Sequence, residues 1–200
     1  MTRLLVATTN SHKVREIRQL LDNPSLELVT LADWPNLRAP EETGRTFAAN
    51  AREKALYYAA ATGELTVAED SGLEIDALGG APGVESARFG GADAGYPRKF
   101  ALIYDALRAR GLSTSPARFV CALALARRGD VLFETRGIVE GTIAPEPKGS
   151  GGFGYDPIFF YPPYCLTLAE AGDAKAAVSH RGNAFRALKE FLEGTRGLGD

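Results

Sequence analysis

The chain is predicted to fold as an α/β protein with a mixed, twisted sheet flanked by helices. Two observations predict it. Apolar strand-like runs alternate with helical periodicity through the first third, and two long strand candidates joined by a short polar turn fill the middle. Alternation favours parallel pairing, whereas a hairpin is antiparallel, so the sheet is mixed. No repeat, low-complexity tract or flexible linker interrupts the 200 residues. Residues 1–200 therefore read as a single domain, with the hairpin forming a second lobe.

Leu4, Leu5, Val6 and Ala7 mark a short apolar strand over 3–8. Val14, Ile17, Leu20 and Leu21 then recur at helical spacing over 11–22. A second strand spans 26–31, and a proline-rich acidic loop, 34–44, leads into an alanine-rich helix over 46–61. Residues 65–68 form a short strand ending at Glu69-Asp70-Ser71-Gly72, which is good turn chemistry, and 73–76 form another. After a glycine- and proline-rich stretch at 79–95, a helix runs over 97–110. Pro97 suits its first turn, where the missing N–H is not needed. Strands 117–126 and 131–143 flank Arg127-Arg128-Gly129-Asp130, a hairpin turn. A glycine-rich loop at 148–154 precedes 155–161, and the last helix, 179–193, carries Phe185, Leu188 and Leu192 as an apolar stripe.

Composition narrows the function classes. A net charge of −2 provides no global attraction to nucleic acid or membrane, so an anion site has to be built locally. No apolar run approaches the roughly 20 residues that span a bilayer, and the N-terminus lacks a signal-peptide pattern. The expectation is a cytoplasmic protein with no membrane attachment and no stable nucleic-acid binding. Two cysteines make no disulfide framework, and Cys121, inside an apolar strand, reads as an inert core thiol. Only six of the 23 basic residues are lysines (13, 54, 99, 148, 175 and 189), so a lysine within a motif carries weight.

Thr8-Thr9-Asn10-Ser11-His12-Lys13 sits where the first strand gives way to a helix. It reads either as an ordinary capped helix start or as an anion site, in which the first N–H groups and the helix dipole face a phosphate beside Lys13. Glu41-Glu42-Thr43-Gly44, followed by Asn50 and Lys54, suits a hard cation or simply an acidic helix start. Glu69-Asp70-Ser71-Gly72 could hold Mg²⁺ and activate a water at a strand end, or form a plain turn. Gly151-Gly152-Phe153-Gly154-Tyr155-Asp156-Pro157 combines glycines, which allow close backbone approach, with aromatic faces that could stack on a base. Lys175, Ser179, His180 and Arg181 cluster just before or at the last helix start, and read either as a structural histidine with charged neighbours or as a convergent donor set for carbonyl or phosphate oxygens.

Taken in order, these motifs, together with Gly79-Gly80-Ala81-Pro82-Gly83 and Ser179-His180-Arg181-Gly182, strongly resemble the inosine triphosphate pyrophosphatase family, over about residues 3–193. The resemblance implies an inosine triphosphatase-like fold with two lobes around a nucleotide cleft. It implies Mg²⁺-dependent hydrolysis of dITP, ITP and XTP to the monophosphate and pyrophosphate by a homodimer. Thr8, Thr9, Asn10, Ser11, His12 and Lys13 would hold the triphosphate with help from Lys54. Glu41, Glu69 and Asp70 would ligate Mg²⁺, Asp70 would also accept the proton, and Ser71 would contact substrate. Phe153, Gly154, Tyr155 and Asp156 would form the nucleoside pocket, with Lys175, His180 and Arg181 reading the base. Position 69 is Glu where many bacterial members carry Asp. A non-catalytic nucleotide-binding regulator would lack Asp70 or Glu41, and both are present.

Overall fold

A computed structural model describes residues 2–91 and 93–195. Its strands are β1 (Thr2–Val6), β2 (Leu26–Thr30), β3 (Leu65–Ile75), β4 (Pro116–Arg127), β5 (Asp130–Ile143), β6 (Phe159–Tyr161) and β7 (Leu166–Thr167). Its helices are α1 (Ser11–Leu20), α2 (Phe47–Thr62), α3 (Tyr96–Arg108), α4 (Lys175–Val178) and α5 (His180–Gly194). The strands form one seven-stranded sheet in the order β2-β1-β3-β4-β5-β6-β7. β1 pairs in parallel with β2 and β3, placing Leu4 opposite Leu28 and Val6 opposite Val67. The β5–β6 and β6–β7 pairs are antiparallel, so the sheet is mixed, as the alternation of elements predicts. Among the described residues no helix is long and apolar enough to cross a membrane.

Helix limits follow local chemistry. Asn10 caps α1 by accepting from the backbone N–H groups of His12 and Lys13. Thr46 caps α2 through Ala49 N at 3.1 Å, and Gly63 closes that helix at φ 76°, a left-handed conformation that suits glycine.

The main departure from the sequence reading is β3. Glu69-Asp70-Ser71-Gly72 makes no turn, because one strand runs through it from Leu65 to Ile75. Gly72 serves close approach instead. A Cβ there would lie 2.3 Å from Ser86 Oγ and 2.7 Å from the Gly83 carbonyl oxygen, and Ser86 Oγ accepts from Leu73 N at 2.9 Å. Tertiary pairing overrides turn propensity when a small residue is what lets a neighbouring segment pack.

The chain divides into two compact units, the first from residues 1–70, 121–137 and 180–200, the second from 71–120 and 138–179. In the first, Leu4, Val6, Leu65, Val67, Cys121, Leu123 and Leu125 of the strands pack with Ile17 and Leu21 and with Ala184, Phe185 and Leu188 of α5. In the second, Phe100, Ile103 and Leu107 of α3 pack with Leu73, Ile75, Phe119, Val139, Tyr155 and Phe159.

Gly137 of β5 lets the start of α5 approach within the first unit. A Cβ there would lie 2.0 Å from the His180 carbonyl oxygen and 2.6 Å from Ala184 N. Both obstacles are backbone and cannot rotate away. Gly137→Ala is therefore expected to destabilise at the upper end of the about 1–3 kcal/mol typical of overpacking, read as a lower urea midpoint at unchanged m-value.

Candidate active site

Side chains along a strand point alternately to opposite faces, so Glu69 and Asp70, adjacent on β3, face different neighbours. Glu69 is 3% exposed and faces α1, α5 and β4. Its Oε1 accepts from Lys13 Nζ at 2.7 Å and Arg181 Nη2 at 3.2 Å, and its Oε2 from the Cys121 thiol at 3.2 Å. Arg181, 1% exposed, also donates through Nη1 to Glu16 at 2.6 Å. Burial pushes the Glu69 carboxyl up, but Arg181 and Lys13 outweigh it and hold it well below the usual range. The Cys121 thiol goes the other way, held far above its ordinary value by burial and the Glu69 charge. It stays protonated, in keeping with an inert thiol.

Asp70 faces α2. Its Oδ2 accepts from Asn50 Nδ2 at 2.9 Å, and its Oδ1 lies 3.5 Å from Lys54 Nζ, which also binds Glu42 at 3.0 Å. Burial raises the Asp70 carboxyl above the ordinary range against the pull of Lys54 and the Asn50 hydrogen bond. Burial would lower the Lys54 ammonium, but Asp70 and Glu42 more than reverse that. A carboxylate whose pKa burial raises, set beside a lysine, has the chemistry of a proton acceptor.

Thr8 to Lys13 form the strand-to-helix turn. Asn10 N donates to Thr8 Oγ1 at 3.2 Å, and Asn10 Oδ1 takes His12 N at 3.0 Å and Lys13 N at 3.2 Å. The capped helix start is therefore what this structure shows, and two donors offered to an anion are already satisfied. Thr9, Asn10, Ser11 and His12 are exposed, while Lys13 turns inward to Glu69.

The expected metal set does not gather in this structure. Glu41, Glu69 and Asp70 do not converge, and among the described residues no three His, Cys, Asp or Glu side chains gather to hold an ion. Strand alternation turns Glu69 away from Asp70, and both Glu69 oxygens are engaged by other donors. Glu42, rather than the exposed Glu41, joins Lys54 and Asp70. The donor chemistry of Asp70 and the acidic loop still fits a hard ion. Mg²⁺ is commonly held by one or two carboxylates, taking its other ligands from substrate phosphate and water.

Of the residues expected to read the base, His180 and Arg181 belong to the first unit and Lys175 to the second. The Arg181 guanidinium binds Glu16 and Glu69 in the first unit, and His180 is buried where α5 starts against β5. Lys175 belongs to the second unit, where its Nζ donates to Asp156 Oδ2 at 2.7 Å and sits 5.0 Å from the centre of the Phe153 ring. Asp156 Oδ2 also accepts from Phe153 N at 2.8 Å. Gly152, at φ 67°, leaves room for that carboxylate, which a Cβ would meet at 2.1 Å. Asp156 therefore shapes the loop. Tyr155 is a packing residue whose hydroxyl donates to the Ser86 carbonyl at 2.8 Å, which leaves the half-buried Phe153 as the aromatic face. Gly154 takes φ 72° between these two aromatics, and Ser71 is half-buried on β3.

Sequence reasoning missed Glu16 and the Cys121 contact. Glu16 directly precedes Ile17, the buried residue of α1, a spacing that could have placed it at the core edge of the helix.

Fold and charge array define an α/β protein with a seven-stranded mixed sheet and buried carboxylates held among lysine and arginine side chains. The chain belongs to the Ham1 family, whose model matches residues 4–191. It is 46% identical over 188 residues to a dITP/XTP pyrophosphatase of Exiguobacterium sp., covering 94% of this chain and 95% of that one. It is 47% identical over 189 residues to a dITP/XTP pyrophosphatase of Thermus thermophilus, covering 94% and 90%. A HAM1 protein from Coxiella burnetii superposes with a TM-score of 0.91 at 38% identity, over 98% of this chain and all of that one.

Glu69→Gln keeps the shape but leaves Lys13 and Arg181 without their shared carboxylate. Loss of one partner from such a buried array is expected to lower stability by about 3–5 kcal/mol in chemical unfolding at neutral pH. Because the folded pKa is depressed, the wild-type advantage is complete above the ordinary glutamate range. It vanishes as pH falls through the depressed value, so the two unfolding curves should converge in acid.

Proposed function

We propose that this protein hydrolyses non-standard purine nucleoside triphosphates (dITP, ITP and XTP) to the monophosphate and pyrophosphate. The observation that carries the reading is the Asp70–Asn50–Lys54–Glu42 group on a chain 46% identical to a dITP/XTP pyrophosphatase. In the mechanism, Asp70 accepts a proton from the water whose oxygen attacks the α-phosphorus. The bond from that phosphorus to the bridging oxygen breaks, and pyrophosphate leaves with the electron pair. Lys54 keeps Asp70 ionised before the transfer, and Lys13 offsets charge on the departing pyrophosphate. Arg181 acts indirectly, by fixing Glu69 and through it the Lys13 ammonium. Mg²⁺ held by Asp70 and the Glu41-Glu42 loop would supply neutralisation of the phosphates and acidification of a water. Phe153 offers a stacking face for the purine and Lys175 a donor for its oxo oxygens. The family resemblance supports a homodimer acting on the cytoplasmic nucleotide pool.

Incubation with dITP should yield dIMP and pyrophosphate in equal amounts, and chelation by EDTA should abolish turnover. Stepwise release of orthophosphate, or full activity in EDTA, contradicts the reading.

Asp70→Asn keeps size and burial but cannot accept the proton. Since general-base catalysis contributes about 10²–10⁴-fold, kcat should fall at least that far while the circular dichroism spectrum is retained. Near-normal turnover at saturating Mg²⁺ would mean that another group is the base.

A further inference from the structure

The Asn50 carboxamide is 1% exposed on α2, with Nδ2 donating to Asp70 Oδ2 at 2.9 Å. An ionised carboxylate only accepts, so the amide must present its nitrogen there. That choice leaves Asn50 Oδ1 buried without a hydrogen-bond partner. Buried acceptors in this condition are rare and unfavourable, so the amide orientation is imposed by Asp70 and not by the surroundings of Oδ1. Those surroundings are the end of the acidic loop. A Cβ at Gly44 would lie 2.4 Å from Asn50 Oδ1 and 3.0 Å from Asn50 N. Gly44 lies outside the left-handed region of φ, so glycine is required at 44 for space and not for backbone conformation. The amide is thus held between Gly44 and Asp70, while Asp70 Oδ1 is turned to Lys54 at 3.5 Å.

We propose that Asn50 is a positioning residue for the reaction. Its amide sets the rotation of the Asp70 carboxylate through the hydrogen bond to Oδ2, which presents Oδ1 on the Lys54 side as the oxygen that accepts the proton. Gly44 is the second half of the device, because any side chain there displaces the amide. The inference depends on Asp70 being the proton acceptor, and Asp70→Asn tests that separately.

The test is a double-mutant cycle on Asn50→Ala and Gly44→Ala with dITP, adding affinity for a non-hydrolysable dITP analogue by calorimetry and the thermal midpoint of each variant. Asn50→Ala should lower kcat by about 10²-fold, the scale expected when a reacting group is misplaced by about 1 Å. KM and analogue affinity should stay within about threefold, the pattern of an interaction lost in the transition state alone. Gly44→Ala should lower kcat in the same sense, and the double variant should be no slower than Asn50→Ala, since both changes remove one contact. Asn50→Asp, which keeps the size but removes the donor, should be at least as slow as Asn50→Ala. Should Asn50→Ala not fold, Gly44→Ala retains the asparagine and still decides the matter. The proposal is overturned if Gly44→Ala leaves kcat unchanged, if the two effects multiply, or if the variants lose only thermal stability with kcat per folded molecule intact. Wild-type turnover in Asp70→Asn would overturn the base assignment itself, and this inference with it.

Discussion

Two acids adjacent on a β-strand cannot face the same way, and the first unit depends on that constraint. β3 carries Glu69 toward α1, α5 and β4, and Asp70 toward α2. The same dipeptide therefore serves two purposes. Glu69 is held by cations and a thiol as an internal tie, and Asp70 is placed beside the Asn50 amide and the Lys54 ammonium. Had the segment formed a turn, both carboxylates could have met one ion. The continuous strand separates them.

Burying Glu69 alone would be highly unfavourable, and burying Arg181 alone equally so. The structure solves both problems with one alternating chain of charges, Glu16 to Arg181 to Glu69 to Lys13. That chain ties α1, α5 and β3 together more specifically than apolar packing could, because each charge has to meet an opposite one. It also immobilises Lys13 at the beginning of α1.

The second unit applies the same logic to a loop. Asp156 is buried and bonded to Lys175 Nζ and Phe153 N, and its carboxylate occupies the space that a side chain at position 152 would need. An ion pair and a glycine together set the conformation of the loop that carries Phe153, whose ring lies under the Lys175 ammonium. Tyr155, two residues on, is consumed by the core and by Ser86. Aromatic residues spaced two apart in one loop thus acquire different environments, Phe153 half-buried against Lys175 and Tyr155 fully in the core.

Periodicity and end signals were enough to place the longer elements from sequence. α1, α2, α3 and α5 lie within two residues of their predicted limits, since the 3.6-residue apolar pattern and the caps at Asn10 and Thr46 are local properties. The motif order was likewise enough to imply the family, whose model matches residues 4–191. What the sequence did not display were particular contacts made by residues distant along the chain. Glu69-Asp70-Ser71-Gly72 has turn composition but belongs to a strand, because Gly72 is needed against Ser86 and Gly83. Arg181 resembles a base-reading donor beside His180, yet Glu16 and Glu69, 165 and 112 residues away, claim its guanidinium. The sequence by itself determined which charged and aromatic residues are available. Only the tertiary structure decided which of them neutralise one another, because electrostatic pairing depends on distance in space and on burial, and neither is encoded in spacing along the chain.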